Sequence, residues 1–125
     1  MEPAKRILLI EDDLYTRELF EEVLKGAGFN VTTAFDGEMG LNKALEGGYT
    51  LILLDIVMSG MDGIGVLNGL KDAETKQKNG PIVMLTNLSH DPIIKQTLSL
   101  GATSYLIKSD LTPEELVNKV RSFIK

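Results

Sequence analysis

Leu51-Ile52-Leu53-Leu54-Asp55-Ile56-Val57-Met58-Ser59-Gly60-Met61-Asp62-Gly63 is the stretch on which the fold turns. Its apolar run stops at Asp55, and Gly60 and Gly63 break any regular structure behind it. A short apolar run bounded by turn chemistry reads as a strand buried on both faces, the kind found in parallel sheets. Asp55 then stands where the chain leaves the sheet, at the edge where open α/β folds bind their ligands. Alone, an Asp in that place could equally start a loop or cap a helix.

Three further runs repeat the pattern. Ile7-Leu8-Leu9-Ile10 ends in Glu11-Asp12-Asp13, Ile82-Val83-Met84-Leu85 ends in Thr86, and Tyr105-Leu106-Ile107 ends in Lys108. If these strands run parallel, the acids, the hydroxyl and the ammonium all face one pocket on one edge of one sheet.

Between the strands the periodicity changes. Leu14–Lys25 is expected to be helical, with Leu19, Phe20, Val23, Leu24 and Ala27 on the apolar face and Arg17, Glu18, Glu21, Glu22 and Lys25 opposite. Asn30–Ala34 reads as an exposed edge strand. Asp36 is placed to cap a second helix running to about Glu46, and a third begins near Gly63 or Ile64 and frays in the polar run Lys71–Asn79. Asp91-Pro92 starts a fourth helix, and the capping box Thr112-Pro113-Glu114-Glu115 starts a fifth with Leu116, Val117, Val120, Phe123 and Ile124 on its apolar face. Strands and helices alternate with short connections, which predicts an α/β fold: a doubly wound five-stranded parallel sheet covered by five helices, with right-handed crossovers. One domain spanning 1–125 is expected, with no output domain after the last helix.

The composition narrows the function. A hydrophobic fraction of 43% supports a real core, and a formal net charge of −5 argues against direct binding to nucleic acid or an anionic membrane. There is no cysteine, so thiolate metal sites and disulfides are out of reach. The N-terminal residues lack an apolar signal region, and no apolar run approaches a membrane span, so a cytoplasmic location is expected.

The whole chain resembles the receiver domain of two-component response regulators, in plan the chemotaxis-type single-domain form. The resemblance rests on Glu11-Asp12, Asp55, Met58, Met61-Asp62-Gly63, Thr86, Tyr105 and Lys108 taken together. It implies a flavodoxin-like sheet in the order 2-1-3-4-5. It implies Asp55 as phosphoacceptor, taking a phosphoryl group from a histidine kinase or phosphotransfer protein. It also implies the backbone carbonyl of Val57 as a ligand to Mg²⁺. The signal would leave through the face formed by the fourth helix, fifth strand and fifth helix, 92–125, toward an unidentified downstream effector.

The residues support that chemistry independently. Phosphoryl transfer requires mainly positioning and neutralisation of oxygen charge. Ionised Asp is a competent nucleophile, and three carboxylates crowded together favour a hard divalent cation. Asp12 and Asp55 are the expected direct Mg²⁺ ligands, with Glu11 binding directly or through water. Lys108 offers a point charge to phosphoryl oxygens and Thr86 a hydroxyl donor. Plainer roles exist beside these. Asp13 reads as the first helix's N-cap, Lys108 could simply pair with Asp55, Tyr105 could be a core or surface aromatic, and His90 reads as a solvated loop residue.

Some positions depart from the family's pattern. Ser59 and Ser109 stand where the family usually has proline, and Asn87 follows Thr86 where a small residue is usual. A cis Lys108–Ser109 bond would cost roughly 3 kcal/mol, so a trans bond is expected, or a strained one, with an altered loop before the last helix. Other functions fit less well. Phosphatases of the haloacid-dehalogenase type need a second Asp where Val57 stands. A flavin phosphate would be repelled by Glu11-Asp12-Asp13. A non-phosphorylated interaction module that kept the fold is the alternative, against which the intact acids, Thr86 and Lys108 argue.

Overall fold

The computed structural model describes residues 4–75, 77–87 and 91–124. The strands are β1 (Arg6–Ile10), β2 (Asn30–Ala34), β3 (Leu51–Asp55), β4 (Ile82–Thr86) and β5 (Ser104–Ile107). The helices are α1 (Leu14–Gly26), α2 (Gly37–Glu46), α3 (Gly63–Leu70), α4 (Asp91–Ser99) and α5 (Pro113–Phe123), with a 3-10 turn at Lys108–Asp110. All pairings are parallel, as the sequence pattern predicts, and the order is β2-β1-β3-β4-β5, as the family resemblance implies.

Alternate residues of each strand serve opposite layers. Leu8, Ile10, Ile52, Leu54 and Met84 pack with Ala44 of α2 and Val66 and Leu67 of α3. Ile7, Leu9, Leu51, Leu53, Val83 and Leu85 pack with Phe20 and Leu24 of α1 and Leu116 and Val120 of α5. All of β3 is buried. Full burial of a Leu or Ile side chain is worth roughly 1.5–3 kcal/mol, so this strand anchors the fold and holds Asp55 rigidly at its end.

Helix starts follow the capping chemistry. Asp13 accepts from Thr16 N–H at 2.9 Å, Asp36 from Met39 N–H at 2.8 Å, Asp62 from Gly65 N–H at 2.9 Å and Thr112 from Glu115 N–H at 3.1 Å. The expected apolar face of α1 needs correction at Leu19, which is half exposed. The helix seats Phe20 and Leu24 on the sheet, and Leu19 lies about 100° around the axis from Phe20, beyond that stripe. Arg17 is not a solvent-facing charge either, because its guanidinium turns back to donate to the Glu11 carbonyl at 2.9 Å. Behind β3, Gly60 takes φ +73°, which turns the loop, and a Cβ on Gly63 would meet the Asp55 carbonyl oxygen at 2.5 Å. Among the described residues, no helix is long and apolar enough to cross a membrane.

Candidate functional site

Strand register alone gathers the polar groups. Ile10 pairs with Leu54, so the following residues, Glu11 and Asp55, sit side by side. Asp55 pairs with Leu85 and Thr86 with Ile107, which brings Thr86 and Lys108 to the same rim. Glu11, Asp55 and Thr86 are almost wholly buried there. Lys108 Nζ lies 2.8 Å from Glu11 Oε1 and 3.3 Å from Asp55 Oδ2. A cavity of about 510 Å³ opens above them, lined also by Asp12, Val57 and Asn87.

Two acids and one ammonium share this buried space, and Asp55 and Lys108 respond to it. Burial, then the hydrogen bond and charge of Glu11, push the Asp55 carboxyl up to about 7, against the opposing pull of Lys108. Burial alone would lower the Lys108 ammonium, but its bonds to Glu11 and Asp55 outweigh that and hold it above its usual value. Asp13, outside the crowd, is lowered by accepting from the Thr16 side chain and backbone.

The donor set suits a hard cation. Glu11, Asp12 and Asp55 each offer an oxygen within 4.8 Å of the others, and Asp12 is the most open of the three. Glu11, Asp12 and Asp55 would hold a cation such as Mg²⁺, which takes carboxylate oxygens and keeps several waters.

Supporting bonds fix these groups. Glu11 Oε2 accepts from Asp13 N–H at 3.3 Å, and Arg17 holds the Glu11 carbonyl. Asp12 Oδ2 accepts from Ser59 N–H at 3.2 Å, and Asn87 Oδ1 accepts from Ser109 N–H at 3.0 Å. Ser59 and Ser109 are the positions where the resemblance implies proline, and each supplies an N–H that proline would lack. Among the described residues, no buried side-chain nitrogen or oxygen is without a partner.

Glu11, Asp12, Asp55, Thr86 and Lys108 are therefore brought together, and Val57 lines the same cavity with a largely exposed side chain. Asp13 caps α1. The expected simple Lys108–Asp55 pair is a three-group arrangement in which Glu11 is the nearer partner, because adjacent strands place its carboxylate level with Asp55. The Lys108–Ser109 bond is trans, there being no cis peptide among the described residues. Tyr105 is exposed, on the surface. His90 and Leu88 lie outside the described residues. The contact of Asn87 with Ser109 and that of Ser59 with Asp12 were missed from sequence. Their only signal was the coincidence of three unusual residues around one pocket.

Comparison with known proteins agrees with this geometry. A family model described as the response regulator receiver domain matches residues 7–121. The transcriptional regulatory protein HprR of Escherichia coli is 37% identical over 120 residues, covering 96% of this chain and 52% of HprR. The chemotaxis protein CheY of Treponema pallidum is 30% identical over 123 residues, covering 96% of this chain and 83% of that protein. The structure of the response regulator TrrA of Thermotoga maritima, in complex with Mg²⁺ and BeF, superposes with a TM-score of 0.80 at 32% identity, covering 96% of this chain and 99% of that one. The chain spans about half the length of HprR and of the other transcriptional regulators it matches.

Proposed function

The chain belongs to the response regulator receiver domain family, the phosphorylation-activated switch of two-component signalling, and we propose that Asp55 is its phosphoacceptor. Receiver domains are phosphoacceptor regulators rather than conventional enzymes, and they bind Mg²⁺ at an acidic site. The observation that carries the assignment is the placement of Lys108 Nζ within 3.3 Å of the Asp55 carboxylate, at the rim shared with Thr86.

In the proposed reaction an Asp55 oxygen attacks the phosphorus of a phosphohistidine on a kinase or phosphotransfer protein. The P–O bond forms as the P–N bond breaks, and the leaving imidazole keeps the electron pair. Asp12 and Asp55 would hold Mg²⁺ directly and Glu11 directly or through water, with the Val57 carbonyl as a further oxygen. Bound there, the ion supplies neutralisation of phosphoryl charge. The Lys108 ammonium balances a further oxygen, and the Thr86 hydroxyl donates to another. The burial of Asp55 keeps water from solvating the nucleophile.

Residues 1–125 act in this reading as one receiver domain in the cytoplasm. The change would reach an effector through the α4–β5–α5 face, where the phosphoryl group favours one of two surface states. The exposed Tyr105 and Leu98 supply apolar area on that face. Incubation with acetyl phosphate and Mg²⁺ should add one phosphoryl group by intact mass, and Asp55→Asn should abolish it. Equal modification of the variant would place the acceptor elsewhere.

A further inference from the structure

The Lys108–Asp110 turn has no capping side chain of its own: Ile107 stands at its N-cap and makes no side-chain bond. Turn and helix starts leave N–H groups without partners, and each needs an acceptor. Here the acceptor comes from a different strand. Asn87, the residue after Thr86, reaches across to accept the N–H of Ser109, the residue after Lys108, 22 positions away. One side chain therefore spans between the neighbours of the two groups assigned to the phosphoryl oxygens. Asn87 and Lys108 line the same cavity.

We propose that Asn87 is a positioning residue that ties the end of β4 to the turn carrying Lys108, so that the Thr86 hydroxyl and the Lys108 ammonium reach a phosphoryl group as one unit. The inference rests on the reading of Asp55 as phosphoacceptor. The tie requires a backbone N–H at residue 109, which serine has and proline lacks. Asn87 and Ser109 thus form a matched pair, each giving the other its function. Besides the bonds of Lys108 to Glu11 and Asp55, the carboxylates of Glu11 and Asp12 accept from the Asp13 and Ser59 N–H groups and Asp55 ends the buried strand β3, supports that do not pass through Asn87.

That separation makes the test specific. Mg²⁺ affinity reads the carboxylates, and affinity for beryllofluoride, a phosphoryl mimic, in saturating Mg²⁺ also reads Thr86 and Lys108. Both constants are measured by calorimetry for the wild type, Asn87→Ala, Ser109→Pro, the double variant, and Ser109→Ala, which keeps the N–H. Residues 87 and 109 are exposed, so folding should survive. In Asn87→Ala, beryllofluoride should bind roughly three- to tenfold more weakly, the usual worth of one hydrogen bond, with Mg²⁺ affinity unchanged within about twofold. Ser109→Pro should lose a similar factor, the double variant no more than the worse single one, and Ser109→Ala nothing. Wild-type beryllofluoride affinity in Asn87→Ala, equal loss of both ligands, or additive losses in the double variant would overturn the proposal. A wild type that binds Mg²⁺ but no beryllofluoride would instead overturn the phosphoacceptor reading, and this inference with it.

Discussion

Lys108 makes its shorter ion pair with Glu11, at 2.8 Å, joining residues 97 positions apart across the carboxyl edge of the sheet. Both side chains are nearly out of solvent. A buried pair is a weak source of stability as a pair, but removing one member leaves an uncompensated charge. Lys108→Met should therefore destabilise the metal-free protein by about 1–3 kcal/mol. Mg²⁺ should recover part of the loss by replacing the missing positive charge. Denaturant melts with and without Mg²⁺ read this, and an unchanged midpoint in the metal-free variant would deny the pair its place in the fold.

The raised Asp55 carboxyl fixes the sign of a pH effect. The folded protein holds this proton up to about 7, whereas the ordinary value is 3.8. Stability from this group is fully present below the unfolded value and is lost as pH rises through the folded one. Metal-free protein should thus lose stability between about pH 4 and pH 8 relative to Asp55→Asn, which cannot ionise. Thermal melts of the two proteins across that range should diverge in favour of the variant as pH rises. Parallel curves would show that Asp55 is not strained.

Asp13 separates capping from metal binding. Its carboxylate accepts from Thr16 N–H and Oγ1 at 2.9 and 2.7 Å. Asp13→Ala should lower the melting temperature, as loss of an N-cap does, and leave Mg²⁺ affinity within about twofold. A larger loss of Mg²⁺ affinity would make Asp13 part of the metal site.

The lifetime of the phosphorylated state follows from the apolar rim. Water must approach opposite the Asp55 oxygen, past Val57, whose exposed side chain lines the cavity and can neither donate nor accept a hydrogen bond. The family resemblance implies that two side chains flank that path, the one two positions after Asp55, which is Val57, and the one two positions after Thr86, which is Leu88 and lies outside the described residues. With nothing to orient the water, self-dephosphorylation should be slow, and Val57→Asn with Leu88→Glu should accelerate it about tenfold or more. Decay of the phosphoprotein within seconds in the wild type, or no acceleration in the double variant, would remove these side chains from control of the water.

The sheet was readable in advance because each strand is an apolar run cut off by a polar residue, a local signal that Leu51–Asp55 carries in full. The acids at the pocket were readable for the same reason. Bonds between distant positions were not. Ser59 with Asp12 and Asn87 with Ser109 join residues 47 and 22 apart, and no local pattern announces which N–H will meet which oxygen. The nearer partner of Lys108 depended on strand register at the ångström level, which favours Glu11. Leu19 was misplaced because helical spacing marks a stripe without fixing its width.

The central claim is that Asp55 itself carries the phosphoryl group. Acyl phosphates are reduced by borohydride, which converts a phosphorylated aspartate to homoserine and leaves free carboxylates untouched. The protein is treated with acetyl phosphate and Mg²⁺, reduced, digested, and sequenced by tandem mass spectrometry. The account predicts homoserine at position 55 and nowhere else, dependent on Mg²⁺. Homoserine at Glu11, Asp12 or Asp13 instead, or none at any position in phosphodonor-treated protein, would contradict it.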